Sequence, residues 1–288
     1  MKKKRLYAAI YSLVAFALFV VMDSIGKYLA EYCSIIQIVW ARYFFHILLM
    51  FFIFFLIKKK INFKKNIKIQ IYRSLLLICC TVLTYVSVRY NELINFYIIF
   101  FSTPLIVSCF SYFFLKEKVT KFGFVLILLS FVVIVFTLEP TSAFTTYLII
   151  FPFLTAIAFA LYQLLTKVVA KDKEPFVALF FTSIIGSVIF SILAYFYWTP
   201  IVYNIAWLFM ICLGFIGFLS HYLFAIALQT LDLYHVTNFQ YTQLIWASLI
   251  NFFIFGDVIS ELKIVGIGFI VIFGLIFINR ELRLKNNL

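Results

Sequence analysis

The sequence predicts an all-α integral membrane protein: ten transmembrane helices in two inverted five-helix repeats, with both termini in the cytoplasm. Three observations predict it. The 288 residues are 66% apolar and 12% charged, against roughly 45–50% and about 25% in a soluble domain. Apolar stretches recur at lengths that suit helices of about 20 residues, without the alternating ten-residue segments of a membrane barrel. The two halves also align with each other at an offset of 140 residues.

Ten apolar spans are expected at 6–28, 34–57, 70–89, 93–115, 120–138, 145–168, 175–198, 204–228, 233–255 and 262–280. The opening Lys2-Lys3-Lys4-Arg5 and the apolar run behind it imitate a signal peptide. No small-residue cleavage site follows, and the run continues into Asp23 and Lys27, so it reads as a retained first span. In span four, Pro104 frees the carbonyl of Phe100, which predicts a kink and a bared polar group. In span six, Ala156 and Ala160 offer a small-residue face. In span seven, Pro175 suits the first turn, and Ser183, Ser187 and Ser191 form a stripe for close helix approach. Trp198 and Trp207 read as interfacial anchors. Span nine opens on His235, Asn238, Gln240, Tyr241, Thr242 and Gln243, a dense polar run where hydrocarbon makes such groups costly. It is read either as a wall of a solute path or as helix-to-helix hydrogen bonding.

Orientation follows from lysine and arginine. With the N-terminus inside, cytoplasmic segments hold 20 of the 24 basic residues, Arg73 among them, and leave Lys27, Arg42, Arg89 and Lys263 for the membrane or the other side. That bias places both termini in the cytoplasm. The repeat is read from the 140-residue offset, which sets Lys27 on Lys167, Glu92 on Asp232 and Glu117 on Asp257. Each half (1–140 and 141–288) holds five spans, an odd number, so the second is inverted relative to the first. Inverted repeats mark secondary transporters, with the substrate near the midplane.

The net charge of +13 sits in short loops against anionic headgroups and is not a nucleic-acid signal. The five cysteines have no metal or CxxC spacing, and no cofactor or metal is expected. No HExxH, GxSxG, acidic cluster or phosphate-binding glycine loop is present, so enzyme chemistry is not expected.

Several phrases now resemble a known family. Asp23-Ser24-Ile25-Gly26-Lys27-Tyr28-Leu29, Val39-Trp40-Ala41-Arg42-Tyr43-Phe44, Phe114-Leu115-Lys116-Glu117, Ala160-Leu161-Tyr162-Gln163-Leu164, Tyr241-Thr242-Gln243-Leu244-Ile245-Trp246-Ala247 and Phe255-Gly256-Asp257 are similar to EamA-type carriers of the drug/metabolite transporter superfamily. The resemblance covers nearly the whole chain. It implies a small-metabolite carrier of the bacterial inner membrane working by alternating access. Many exporters of the family carry Trp-Gly in span one, where Met22-Asp23 stands here. The first phrase looks more like the branch with S-adenosylmethionine uptake carriers and, less clearly, riboflavin carriers. Amino acids are a further substrate class. The alternatives are a metabolite or drug exporter of the same fold and, beyond that, a lipid flippase or an intramembrane enzyme.

The candidate substrate-binding residues are Asp23, Arg42, Trp40, Tyr97, Tyr162, Gln163, Asn238, Tyr241, Gln243 and Trp246. Under the offset Asp23 falls on Gln163 and Arg42 on Thr182, so the charges occur in one half only. A charge that the fold alone required would be expected in both. Arg42 is suited to a substrate carboxylate, and Asp23 to a substrate cation or a proton. The structural alternative is an Asp23–Arg42 pair, or Asp23 with Lys27 one turn on. The aromatic candidates are read as a pocket that stacks a planar ring or holds a cation. His235 joins Asp23 as a candidate for proton coupling, while His46, one turn past Arg42 and in reach of its environment, and His221 read as hydrogen-bonded packing residues, with a proton relay as the alternative. Glu117 and Asp257 read as helix-junction residues, and Arg89 and Glu92 as a pair in a turn. Without an ATP-binding domain, uphill movement requires a coupling ion or counter-substrate. The partners expected are a small-molecule substrate and the lipid bilayer, with the chain a monomer or homodimer.

Overall fold

The computed structural model describes residues 2–57, 63, 65–90, 93–117, 120–137, 150–256, 260–262, 264–269, 272, 273 and 276. Six of its helices are long and apolar enough to cross a membrane: α1 (Lys2–Leu29), α2 (Ile35–Ile57), α3 (Ile67–Tyr90), α7 (Ile150–Ala170), α8 (Pro175–Tyr197) and α9 (Asn204–Thr230). Predicted span five is α6 (Lys121–Thr137). Of span ten, residues 261–262, 264–269, 272–273 and 276 are helical. Glu92 and Asp257 lie outside the described residues.

Two predicted spans are broken. Span four is α4 (Leu93–Phe100) and α5 (Thr103–Leu115), parted at Phe101 and Ser102. Span nine is α10 (Leu233–Asn238), a 3-10 turn at Phe239–Thr242, and α11 (Gln243–Phe255). The first break falls at Pro104, which has no N–H to continue the ladder. The carbonyl of Phe100 is not bared as expected, because the Thr103 hydroxyl donates to it at 2.6 Å. The second break has no proline. There the Thr242 hydroxyl donates to the Phe239 carbonyl at 2.7 Å. Both irregular stretches are therefore satisfied locally, as backbone at membrane depth must be.

The 140-residue offset reappears in the coordinates. It relates α2 to α8 and α5 to α11 at both ends of each helix. It also relates Lys116 to Gly256, the left-handed residues that close α5 and α11. Packing follows the same exchange. α1 lies along α9 and its counterpart α7 along α3, while α2 faces α8 and α4 faces α11. The halves interlock far more than they pack internally. The serine stripe of α8 and the Ala156/Ala160 face of α7 sit in these contacts, with Ser183, Ala156 and Ala160 fully buried.

Glu117 has the helix-junction role predicted for it. Its carboxylate accepts the backbone N–H of Leu233 at 2.9 Å and lies 3.4 Å from that of Tyr234. It thus caps α10 from the other half of the chain, where the Asp232 side chain at the N-cap position makes no capping hydrogen bond. Glu117→Ala is expected to cost about 1 kcal/mol, read as a lower thermal midpoint in detergent. Glu117→Gln, which keeps one acceptor, should recover part of it.

Candidate functional site

Polar chemistry collects where α1, α2, α3, α7 and α9 meet the broken spans. Asp23 on α1 is 7% exposed and Arg42 on α2 is 3% exposed. Both line one cavity with Phe19, Phe100, Phe159 and His221. They form no direct ion pair. The Asp23 carboxylate instead accepts the hydroxyl proton of Tyr97 on α4 at 2.6 Å. Arg42 Nη2 lies 2.9 Å from His221 Nε2 on α9. A guanidinium only donates, so that nitrogen accepts. The other ring nitrogen then carries the proton toward the Tyr162 hydroxyl, 3.0 Å away on α7. One chain of contacts thus ties Arg42 to α7 through His221, which the sequence reads as a hydrogen-bonded packing residue ahead of a proton relay.

A second cavity adjoins the first and shares Arg42, Leu77 and His221 with it. Its far wall carries Arg73 of α3, which is 2% exposed. Arg73 was expected among the cytoplasmic loop cations, but it lies inside the bundle. It donates to the Thr182 hydroxyl at 2.7 Å and to the Ala178 carbonyl. It also lies over the Tyr162 ring, 5.2 Å from its centroid.

The predicted site residues separate into two groups. Asp23, Arg42 and Gln243 line the first cavity, Tyr97 holds Asp23, and Tyr162 lines the second. The Gln243 side-chain oxygen is buried without a protein partner. Trp40, Gln163, Asn238, Tyr241, Trp246 and His235 line neither cavity. Trp40 donates to Ser191 at 3.1 Å and packs edge-on against Trp198, in an aromatic cluster at one end of the bundle. Gln163 accepts from Thr237 at 2.9 Å, tying α7 to α10. Tyr241 donates to the Ile127 carbonyl at 3.2 Å, on α6. His235 lies 3.5 Å from Asp232 at the start of α10. The aromatic rings that line the first cavity are phenylalanines, not the tryptophans and tyrosines singled out from the sequence. Phe19 lies 4.8 Å from the His221 ring and Phe100 lies 5.3 Å from Phe159.

The first cavity has a volume of about 30 Å³ and the second about 10 Å³. About 10–15 Å³ houses one water, so the site as it stands admits water and not a metabolite. Each end of the bundle carries a polar tie between the two halves. At one end Gln37 of α2 donates to the Thr199 carbonyl at 2.6 Å and accepts from the Thr199 hydroxyl at 2.7 Å. At the other, Lys65 pairs with Asp172 at 2.6 Å and Asn66 donates to the same carboxylate at 2.6 Å.

Residues 6–139 and 146–280 each match the EamA-like transporter family. The chain belongs to that family. An EamA-like chain of this kind is a multi-pass membrane carrier of small molecules and not an enzyme. It is 27% identical over 238 residues to an S-adenosylmethionine uptake transporter of Rickettsia bellii (strain RML369-C), covering 82% of this chain and 80% of that one. Proteins of the same name from Rickettsia felis (strain ATCC VR-1525 / URRWXCal2) and Rickettsia conorii (strain ATCC VR-613 / Malish 7) are 27% and 26% identical over the same shares. A protein of known crystal structure superposes with a TM-score of 0.76 at 12% identity, covering 93% of this chain and 95% of that one, a likeness of fold.

Proposed function

We propose that this EamA-like carrier takes up S-adenosylmethionine, or a metabolite of similar charge, across the bacterial inner membrane. The observation that carries this is one aromatic-lined chamber holding a buried carboxylate and a buried guanidinium that do not pair with each other. Two opposite charges left apart in low dielectric are costly. A solute with a cationic and an anionic end satisfies both. A sulfonium metabolite with an α-carboxylate has that pattern. Asp23 and the faces of Phe19, Phe100 and Phe159 receive the cation, and Arg42 receives the carboxylate. Gln243 offers its free oxygen to a hydrogen-bond donor.

Movement is by alternating access between the inverted repeats 1–140 and 141–288, with both termini cytoplasmic. The chamber between the halves and the ties at each end of the bundle support this reading. Substrate enters when the Gln37–Thr199 tie opens and leaves when the Lys65–Asp172 tie opens. Tyr97 moves with the broken span and carries the Asp23 contact with it. A coupling ion or counter-substrate supplies the driving force, and Asp23 is the candidate proton carrier.

Proteoliposomes with labelled S-adenosylmethionine test the reading, with and without a pH gradient, alongside riboflavin and amino acids. Saturable uptake of S-adenosylmethionine, competed weakly by the others, is expected. Uptake no faster than in empty liposomes under both conditions overturns it.

A further inference from the structure

Among the described residues three charged side chains are buried: Asp23, Arg42 and Arg73. Two cations therefore face one anion, and Asp23 lines the first cavity, not the second. Every acceptor of Arg73 is neutral. These are Thr182 Oγ1 at 2.7 Å, Gln70 Oε1 and Thr166 Oγ1 at 3.4 Å each, and the Ala178 carbonyl. A buried guanidinium keeps its charge and gains little from neutral acceptors compared with an anion. The same cavity receives His46, which is 3% exposed and whose Nε2 has no protein partner. Arg42, Arg73 and His46 thus converge from α2 and α3 on one space, with the Tyr43 and Tyr162 rings beside them.

We propose that this second cavity is an anion subsite that takes the carboxylate of the carried molecule, gripped between Arg42 and Arg73. The inference rests on the carrier reading above and adds a requirement to it. The solute must carry a carboxylate, set apart from the cation that Asp23 receives. Arg73 is then a specificity residue. His46 supplies a ring N–H to the same group. The anion fills the charge deficit of the core, which explains why two arginines are tolerated there.

Purified full-length protein is titrated with labelled S-adenosylmethionine and with its decarboxylated counterpart, which keeps the sulfonium and lacks only the carboxylate. The wild type is expected to favour the carboxylate form about tenfold or more, the scale of one charged hydrogen bond. Arg73→Gln is expected to abolish that preference and leave the affinity of the decarboxylated form unchanged. Arg73→Lys keeps the charge where the glutamine variant fails to fold, and it should weaken the preference severalfold by losing the planar fork. An undiminished preference in both variants overturns the subsite. Equal loss of both ligands does so too, since it marks Arg73 as structural.

If neither ligand binds the wild type, the S-adenosylmethionine reading fails, and thermal unfolding judges the subsite alone. Sodium acetate is expected to raise the midpoint more than sodium chloride at equal ionic strength, and to lose that effect in Arg73→Gln. Equal protection by the two salts points to an inorganic anion and overturns the carboxylate assignment, as does no protection by either.

Discussion

Asp23→Asn is expected to lower S-adenosylmethionine uptake by about 10- to 100-fold at matched expression, the loss of one charged contact in a buried site. The substitution keeps an oxygen for the Tyr97 hydroxyl, which now sits 2.6 Å from the carboxylate, so the link between α1 and α4 survives. Stability should hold or rise, because a neutral amide is cheaper than a buried carboxylate with no cation bonded to it. A structural role for Asp23 gives the opposite pattern: a lower thermal midpoint, with uptake falling only as the folded fraction falls. Arg42→Gln is expected to act alike, since glutamine keeps a donor for His221 but no charge. Near-normal uptake in both variants removes the chamber from the transport path. Exchange across proteoliposomes then divides the two roles open to Asp23. Loss of exchange and of net uptake together assigns it to the substrate cation. Intact exchange with lost uphill uptake assigns it to the coupling proton.

What the sequence made legible follows from what hydrocarbon penalises. Length of apolar run is set by bilayer thickness, so the six long helices fall within a few residues of their expected bounds. A carboxylate and a guanidinium in oil are conspicuous, and Asp23, Arg42 and Tyr97 do meet at one place. Contacts that depend on which face of a helix turns inward were not legible. Arg73 follows Lys64, Lys65 and Lys68, and beside such a run it looks like one more loop cation. His221 gains its role from Arg42 and Tyr162 on two other helices, which no local pattern shows. The chamber aromatics were sought among tryptophans and tyrosines. Phe19, Phe100 and Phe159 were hidden among 39 phenylalanines. The break in span nine had no proline to announce it. Its signals were the polar run from Asn238 to Gln243 and the alignment of that run with the Pro104 break through the repeat.

Gly214→Ala is expected to be among the most damaging single-methyl changes in the molecule, and Gly217→Ala, one turn along the same helix, nearly silent. A methyl on Gly214 would lie 2.5 Å from Phe45 Cβ and 2.8 Å from the backbone nitrogen of His46. Backbone cannot swing aside, so α9 must move off α2. That shift would carry His221 away from Arg42, seven residues beyond the strained point on α9. Overpacking of this kind costs about 1–3 kcal/mol, and in a membrane bundle no hydrophobic gain offsets it, because lipid is as apolar as the methyl. Against α2 from α8, a methyl on Gly186 would lie 2.5 Å from the Tyr43 ring. That ring is held by a hydroxyl bond to Thr81 at 2.8 Å. The two glycines therefore let α8 and α9 close on α2 from two sides. Gly217 differs: its methyl would meet Met22 at 3.6 Å and the Arg42 stem at 3.7 Å, ordinary contacts. Thermal midpoints in detergent, with uptake per folded protein, separate the cases. Gly214→Ala should lose both stability and uptake, Gly186→Ala should lose mainly stability, and Gly217→Ala should keep both. Equal midpoints for Gly214→Ala and Gly217→Ala mean that α9 is free to shift on α2, and the close seating of Arg42 against His221 is then not what holds the chamber in register.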